Sequence, residues 1–274
     1  MALITSKDGV ALFYEDYGAG KPVVLVHGWG MNGDTWEYVM RVLLQHGLRC
    51  IAYDLRGCGR SDKPLGGYDY STLAADLAAL IETLDLRDVT LVGHAMGCGV
   101  ITRYLYEHGQ ARVGGAVFLA TTTPYLLRTD DNPEGMDKSF FDNMIGAIIE
   151  DRPGFVTGIG QGFFVGNKEG IQLPTPLSTW AFGIVMQSSP FAATEFIRTT
   201  SGTDQREELK KITIPVLIIH GGAAPGAPIS LTAERTSSYL SNARLLVYEG
   251  SSGGFYITEG ARTGKDILEF IGGL

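Results

Sequence analysis

Between residues 91 and 97 the chain reads Leu91-Val92-Gly93-His94-Ala95-Met96-Gly97. An apolar, β-branched run stops at a glycine, and a second glycine follows four residues later as a helical pattern begins. This spacing predicts a strand that turns sharply into a helix, because two glycines let strand and helix backbones approach closely. Such a turn raises the side chain between the glycines into a pocket. In the G-x-S-x-G form of the turn that side chain is a Ser nucleophile. Here it is Ala95, and a methyl group cannot attack anything.

The rest of the chain repeats the strand-then-helix theme. A hairpin over residues 5–17 turns at Lys7-Asp8-Gly9. Short apolar runs at 23–26, 49–54, 89–92 and 113–120 read as strands buried on both faces. Helical spacing covers 35–46, 71–84 with Ser71 as its cap, and 95–108. Regular alternation implies a mostly parallel sheet covered on both sides, with ligands held beyond the carboxyl ends of its strands. His27, Asp54 and Ala95 fall at or just after such ends.

The alternation breaks from 121 to about 209, where aromatics, glycines and prolines surround helical stretches at 140–149, 179–186 and 192–199. It resumes with strands at 214–219 and 244–248 and helices at 231–240 and 260–270. The expectation is one structural unit: an α/β core from 1–120 and 210–274, with a mainly helical cap at 121–209.

At 274 residues and a net charge of −8 the chain can bury a large core and lacks the basic face that nucleic acid or an anionic membrane requires. Its three cysteines, Cys50, Cys58 and Cys98, form no C-x-x-C pair, so neither a disulfide framework nor a zinc site is expected. No apolar run approaches the ~18 residues of a membrane span. A reduced, cytoplasmic protein without metal or cofactor is expected, and a homo-oligomer is open.

Taken together, the opening Lys7-Asp8-Gly9, His27-Gly28-Trp29, residues 54–62, the turn at Ala95, Arg103-Tyr104, His108-Gly109 and the closing 267–270 resemble the α/β-hydrolase superfamily. More narrowly they resemble its bacterial arylesterase, perhydrolase and non-haem chloroperoxidase group. The resemblance covers essentially the whole chain. It implies an α/β-hydrolase fold and a Ser, Asp, His triad in that chain order. The acid belongs in an H-G-D-x-D motif, and this chain has His220-Gly221-Gly222-Ala223-Ala224. The base belongs in a G-x-P-H-G-[FL] loop, and this chain has Gly250-Ser251-Ser252-Gly253-Gly254-Phe255. By this mapping the triad positions hold Ala95, Ala224 and Gly253. Gly222, Ser251-Ser252 and Glu259 also depart from the usual pattern, which a targeted inactivation would have left alone.

The resemblance further implies an oxyanion hole made by the backbone N–H groups of Trp29 and Met96. Candidate pocket residues are His27, Asp34, His94, Thr121, Tyr125, Trp180 and Tyr256, with Thr122, Glu259 and the cap aromatics Phe140, Phe141, Phe163, Phe164 and Phe182 beside them. For each a structural role competes: His94, next to the apex, points back into the fold, His27 holds loops, and Asp34 caps a helix. Cys58 and Cys98 read as packing residues. Two functions remain. One is a non-hydrolytic enzyme acting on a hydrophobic small molecule, by cyclisation, rearrangement, addition or elimination, in the manner of triad-less superfamily members in specialised-metabolite biosynthesis. The other is a catalytically silent ligand binder or an inactivated esterase.

Overall fold

A computed structural model describes residues 2–166 and 172–274. Its eight strands are β1 (Ala2–Thr5), β2 (Ala11–Tyr17), β3 (Pro22–Val26), β4 (Arg49–Tyr53), β5 (Val89–His94), β6 (Val113–Leu119), β7 (Val216–Gly221) and β8 (Ala243–Tyr248). They form one sheet in the order β1-β2-β4-β3-β5-β6-β7-β8. The β1–β2 and β2–β4 pairs are antiparallel, and every pair from β4 to β8 is parallel.

The helices are α1 (Glu37–Gln45), α2 (Tyr70–Thr83), α3 (Met96–Glu107), α4 (Lys138–Phe164), α5 (Thr175–Val185), α6 (Pro190–Gly202), α7 (Arg206–Leu209), α8 (Ala233–Tyr239), α9 (Phe255–Thr258) and α10 (Gly260–Gly272). Helices α2 and α3 pack together, as do α1 and α10. The continuous apolar run of β3 is explained by this sandwich. Val24 and Val26 enter a core shared with Leu73, Leu77 and Ile101 of α2 and α3. Val23 and Leu25, pointing the other way, enter a core shared with Leu43 of α1 and Ile267 of α10.

Helices α4 to α7 lie between β6 and β7, which pair directly with each other. Helix α4 bends at Asp151 (φ −148°, ψ 81°) just before Pro153, which has no N–H to continue a helical ladder. The Asp151 carboxylate accepts the Gly154 N–H at 3.0 Å and so caps the second half. Ala192 and Phe196 of α6 belong to the α2–α3 core, while Phe141, Ile145 and Ile148 of α4 pack with Ala193 and Ile197 of α6 in a cluster of their own.

Two local expectations change. Asp69, not Ser71, caps α2: its carboxylate accepts the Thr72 N–H at 3.0 Å, while the Ser71 hydroxyl bonds Glu107. The helix expected from residue 35 begins as a 3-10 turn, Gly33–Trp36, capped by Asn32. The carboxamide and carboxylate caps sit three and two residues upstream of the expected starts, where the spacing of apolar residues carries no information. Among the described residues no helix is long and apolar enough to cross a membrane.

Candidate functional site

Ala95 stands between the last residue of β5 and the first of α3 with φ 48° and ψ −113°. A positive φ in an alanine costs about 1–2 kcal/mol, and the surroundings hold it there. The Ala95 N–H donates to the Leu119 carbonyl at 2.9 Å, and its own carbonyl accepts the Cys98 N–H at 3.1 Å. A Cβ on Gly93 would stand 2.8 Å from the Cys98 nitrogen, and one on Gly97 only 2.3 Å from the Val26 carbonyl oxygen. The two glycines are steric necessities of the turn.

The turn opens on a cavity of about 790 Å³. Ala95, Ala224 after β7 and Gly253 after β8 all line it, together with Trp29 and Met96. The opposite wall comes from α4 to α6, with Phe140, Phe141, Phe155, Phe163, Phe164 and Phe182 among its residues. Gly253 faces one of them. The position of a Cβ there lies 3.6 Å from the Phe163 ring, whose carbonyl is gripped by the Gly254 N–H at 2.7 Å and by the Ser252 hydroxyl. A side chain at 253 would start in ordinary van der Waals contact with the Phe163 ring.

Among the described residues His94 is the only titratable side chain on the cavity wall. Its Nε2–H donates to the Gly253 carbonyl at 3.1 Å, and its buried Nδ1 has no partner. Tyr256 lies tilted against its ring at 4.4 Å and Phe163 meets it edge-on at 5.7 Å. Burial pushes its pKa down to about 4, so it is neutral at pH 7. It ties the strand–helix turn to the loop after β8.

The other two buried histidines, His27 and His220, hold loops. His27 accepts the Leu55 N–H through Nε2 and donates through Nδ1 to the Gly28 carbonyl; burial lowers its pKa. His220 donates to the Ala227 carbonyl, and burial lowers its pKa too. The three thiols are free and buried; burial pushes Cys50 and Cys98 up to about 12 and raises Cys58 further. None is a thiolate.

Of the expected pocket residues, Trp29, Met96 and His94 line the cavity; His27, Asp34, Thr121, Tyr125, Trp180 and Tyr256 do not. Asp34 turns outward to an ion pair with Arg60 at 2.9 Å. Thr121 is buried in a hydroxyl chain with Thr123 and Thr236. Tyr125 lies under the Arg206 guanidinium, Trp180 packs edge-on against Tyr38, and Tyr256 stands behind His94. Five of these six follow strand ends in the sequence and Trp180 lies on the cap, yet the direction of each side chain takes it off the wall. Phe155, Thr200 and Ser201 line the wall without having been singled out; they lie on helices whose facing side is fixed only by packing. Glu259 accepts the Ser251 hydroxyl and pairs with Arg262. Among the described residues no cluster of His, Cys, Asp and Glu could hold a metal ion.

This sheet order, with a turn of positive φ between β5 and a helix and a helical insertion over the strand ends, defines an α/β hydrolase. The family described as alpha/beta hydrolase fold matches residues 21–259, and the chain belongs to it. A non-heme chloroperoxidase of Kitasatospora aureofaciens is 37% identical over 273 residues, 99% of each chain. The bromoperoxidase structure from Bacillus anthracis superposes with a TM-score of 0.94 at 34% identity, covering 98% of this chain and 99% of that one. An esterase from Exiguobacterium antarcticum gives 0.93 at 33% identity, covering 98% of both.

Proposed function

We propose that the chain is a non-hydrolytic enzyme of this family, binding a hydrophobic small molecule and acting on it without a covalent intermediate. The observation behind this reading is the meeting of Ala95, Ala224 and Gly253 on one apolar wall. Ester hydrolysis in this family needs a hydroxyl nucleophile, an imidazole base and an orienting carboxylate. The residues here supply two methyl groups and a hydrogen. The Thr157, Ser178 and Ser201 hydroxyls on the wall donate to carbonyls of their own helices and have no base beside them.

The backbone N–H groups of Trp29 and Met96 hold a carbonyl, enolate or carboxylate oxygen of the ligand at the N-terminus of α3, where the helix dipole favours negative charge. Orientation in an apolar pocket and stabilisation of developing negative charge then promote a cyclisation, rearrangement, addition or elimination. A second reading is a silent ligand binder. It is favoured by His94, the one titratable group on the wall among the described residues, whose Nε2–H is engaged with Gly253 and whose ring is neutral.

Purified protein incubated with a solvent extract of its host, followed by mass spectrometry and chromatography, separates the readings. Conversion of an extracted compound is the expected result. Retention of a compound without conversion supports the binder. Turnover of p-nitrophenyl acetate together with labelling by a fluorophosphonate overturns both.

A further inference from the structure

The cavity has a second polar corner. Thr122, just after β6, and Thr200, on α6, both line the wall. The Thr122 Oγ1 is buried and neighbours the Tyr70 phenol, without a hydrogen bond of ordinary geometry. The phenol of Tyr70, itself only 3% exposed, stands behind the pair and reaches the Thr200 Oγ1 at 3.5 Å, the long limit for a hydrogen bond. It enters there because α3 has a glycine in the way: a Cβ on Gly99 would lie 2.5 Å from the Tyr70 oxygen. Three hydroxyls are thus gathered beside the first turns of α3 with more hydrogen-bonding capacity than they use among themselves. Buried polar groups left this way carry a desolvation penalty that a ligand atom relieves.

We propose that Thr122 and Thr200, backed by Tyr70, form a subsite for a hydroxyl or keto oxygen. The cavity then selects an aromatic, mostly hydrocarbon molecule with two separated oxygen functions. This rests on the reading of the cavity as a pocket for a hydrophobic ligand and adds what that ligand must carry. One oxygen sits at the Trp29 and Met96 amides. The second sits at the threonine pair, and the ring system between and beyond them faces Phe155, Phe163 and the other aromatic side chains of the cap. Hydroxyls suit this second point better than charges: Thr and Tyr both donate and accept, so a phenol and a ketone are equally served. No charged side chain lines the cavity among the described residues, so a second ionised group on the ligand is disfavoured.

Isothermal titration calorimetry with 2-naphthoic acid and with a set of hydroxy-2-naphthoic acids tests the subsite. The best hydroxylated isomer is expected to bind about tenfold more tightly than the parent acid, the worth of one buried hydrogen bond. In Thr122→Val, which keeps the side chain's shape, the ratio falls to about one. In Thr122→Ser, which keeps the hydroxyl, the preference persists. Thermal melts of both variants show whether they fold. Equal binding of parent and hydroxylated acids by the unaltered protein overturns the subsite while leaving the pocket reading intact. So does a preference that survives in Thr122→Val. Failure of every acid to bind the unaltered protein overturns the pocket reading and the subsite with it.

Discussion

The two halves of the cavity are built on different principles. The half at the sheet ends is held by backbone: Ala95 is fixed by bonds to Leu119 and Cys98, and Gly93 and Gly97 leave no room for a side chain. The half contributed by the cap is held by side chains, above all the phenyl rings of α4 and α5 and Trp29, whose indole N–H donates to the Ala193 carbonyl at 2.7 Å. The first half keeps its geometry whatever stands at position 95, because its constraints do not pass through that side chain. The second half packs against the first through side chains, as Phe163 does beside Gly253. A turn held by backbone does not depend on the side chain at its apex; a wall held by side chains answers to whatever stands opposite it.

The largest effect should come from forcing chemistry back into both halves at once. Ala95→Ser alone should leave p-nitrophenyl acetate hydrolysis near background, because no imidazole is placed to take the proton. Ala95→Ser with Ala224→Asp and Gly253→His should still be held back by Phe163. Adding Phe163→Ala should raise the rate at least about tenfold over the triple variant, well within the ~10⁴–10⁶ that a triad member commands. Equal rates for the single and triple variants would refute the mapping of the triad positions. Equal rates for the triple and quadruple variants would refute the role given to Phe163.

Next in size is the backbone constraint itself. Gly97→Ala drives a methyl into the Val26 carbonyl, and the expected loss is about 3 kcal/mol or more by urea denaturation. A loss under 1 kcal/mol would mean that the turn relaxes readily, and the contrast between the halves would dissolve.

His94 joins the halves, and its titration gives a third test. Its folded pKa of about 4 lies below the ordinary 6.5, so the unfolded chain takes up a proton that the folded chain refuses. Stability is therefore fullest above pH 6.5, falls as the pH drops towards 4 and levels off below. This one group contributes on the order of 3 kcal/mol to that fall. His27 and His220 act in the same direction. His94→Phe should flatten the change in stability between pH 7.5 and 4.5 relative to the unaltered protein; an identical dependence would place the imidazole in water.

The smallest effect belongs to the cap. Asp151→Ala removes the cap on the second half of α4 and should cost about 1 kcal/mol. If it costs nothing, the bend is held by Pro153 and packing alone.

Much of the fold was legible in the strand runs and in the helical spacing around them, because a strand buried on two faces leaves an unbroken apolar signature. The turn at Ala95 was legible for a similar reason: Gly93 and Gly97 answer to contacts within a few residues and one neighbouring strand. The candidate site was legible only in part. Ala95, Ala224, Gly253, Trp29, Met96 and His94 follow strand ends and arrive where the sheet's topology sends them. Asp34, Thr121, Tyr125, Trp180 and Tyr256 also lie near such ends or on the cap, yet side-chain direction and partners such as Arg60 and Arg206 draw them away.

By itself the sequence determined the strand–helix alternation, the strained turn and the absence of side-chain chemistry at its apex, since these depend on residue type and local spacing. Tertiary structure alone decided that Phe163 faces Gly253, that His94 bridges to its carbonyl, and that Thr122 and Thr200 meet beside Tyr70. Those meetings join residues far apart in the chain, and only the packing of the cap on the sheet brings them within reach.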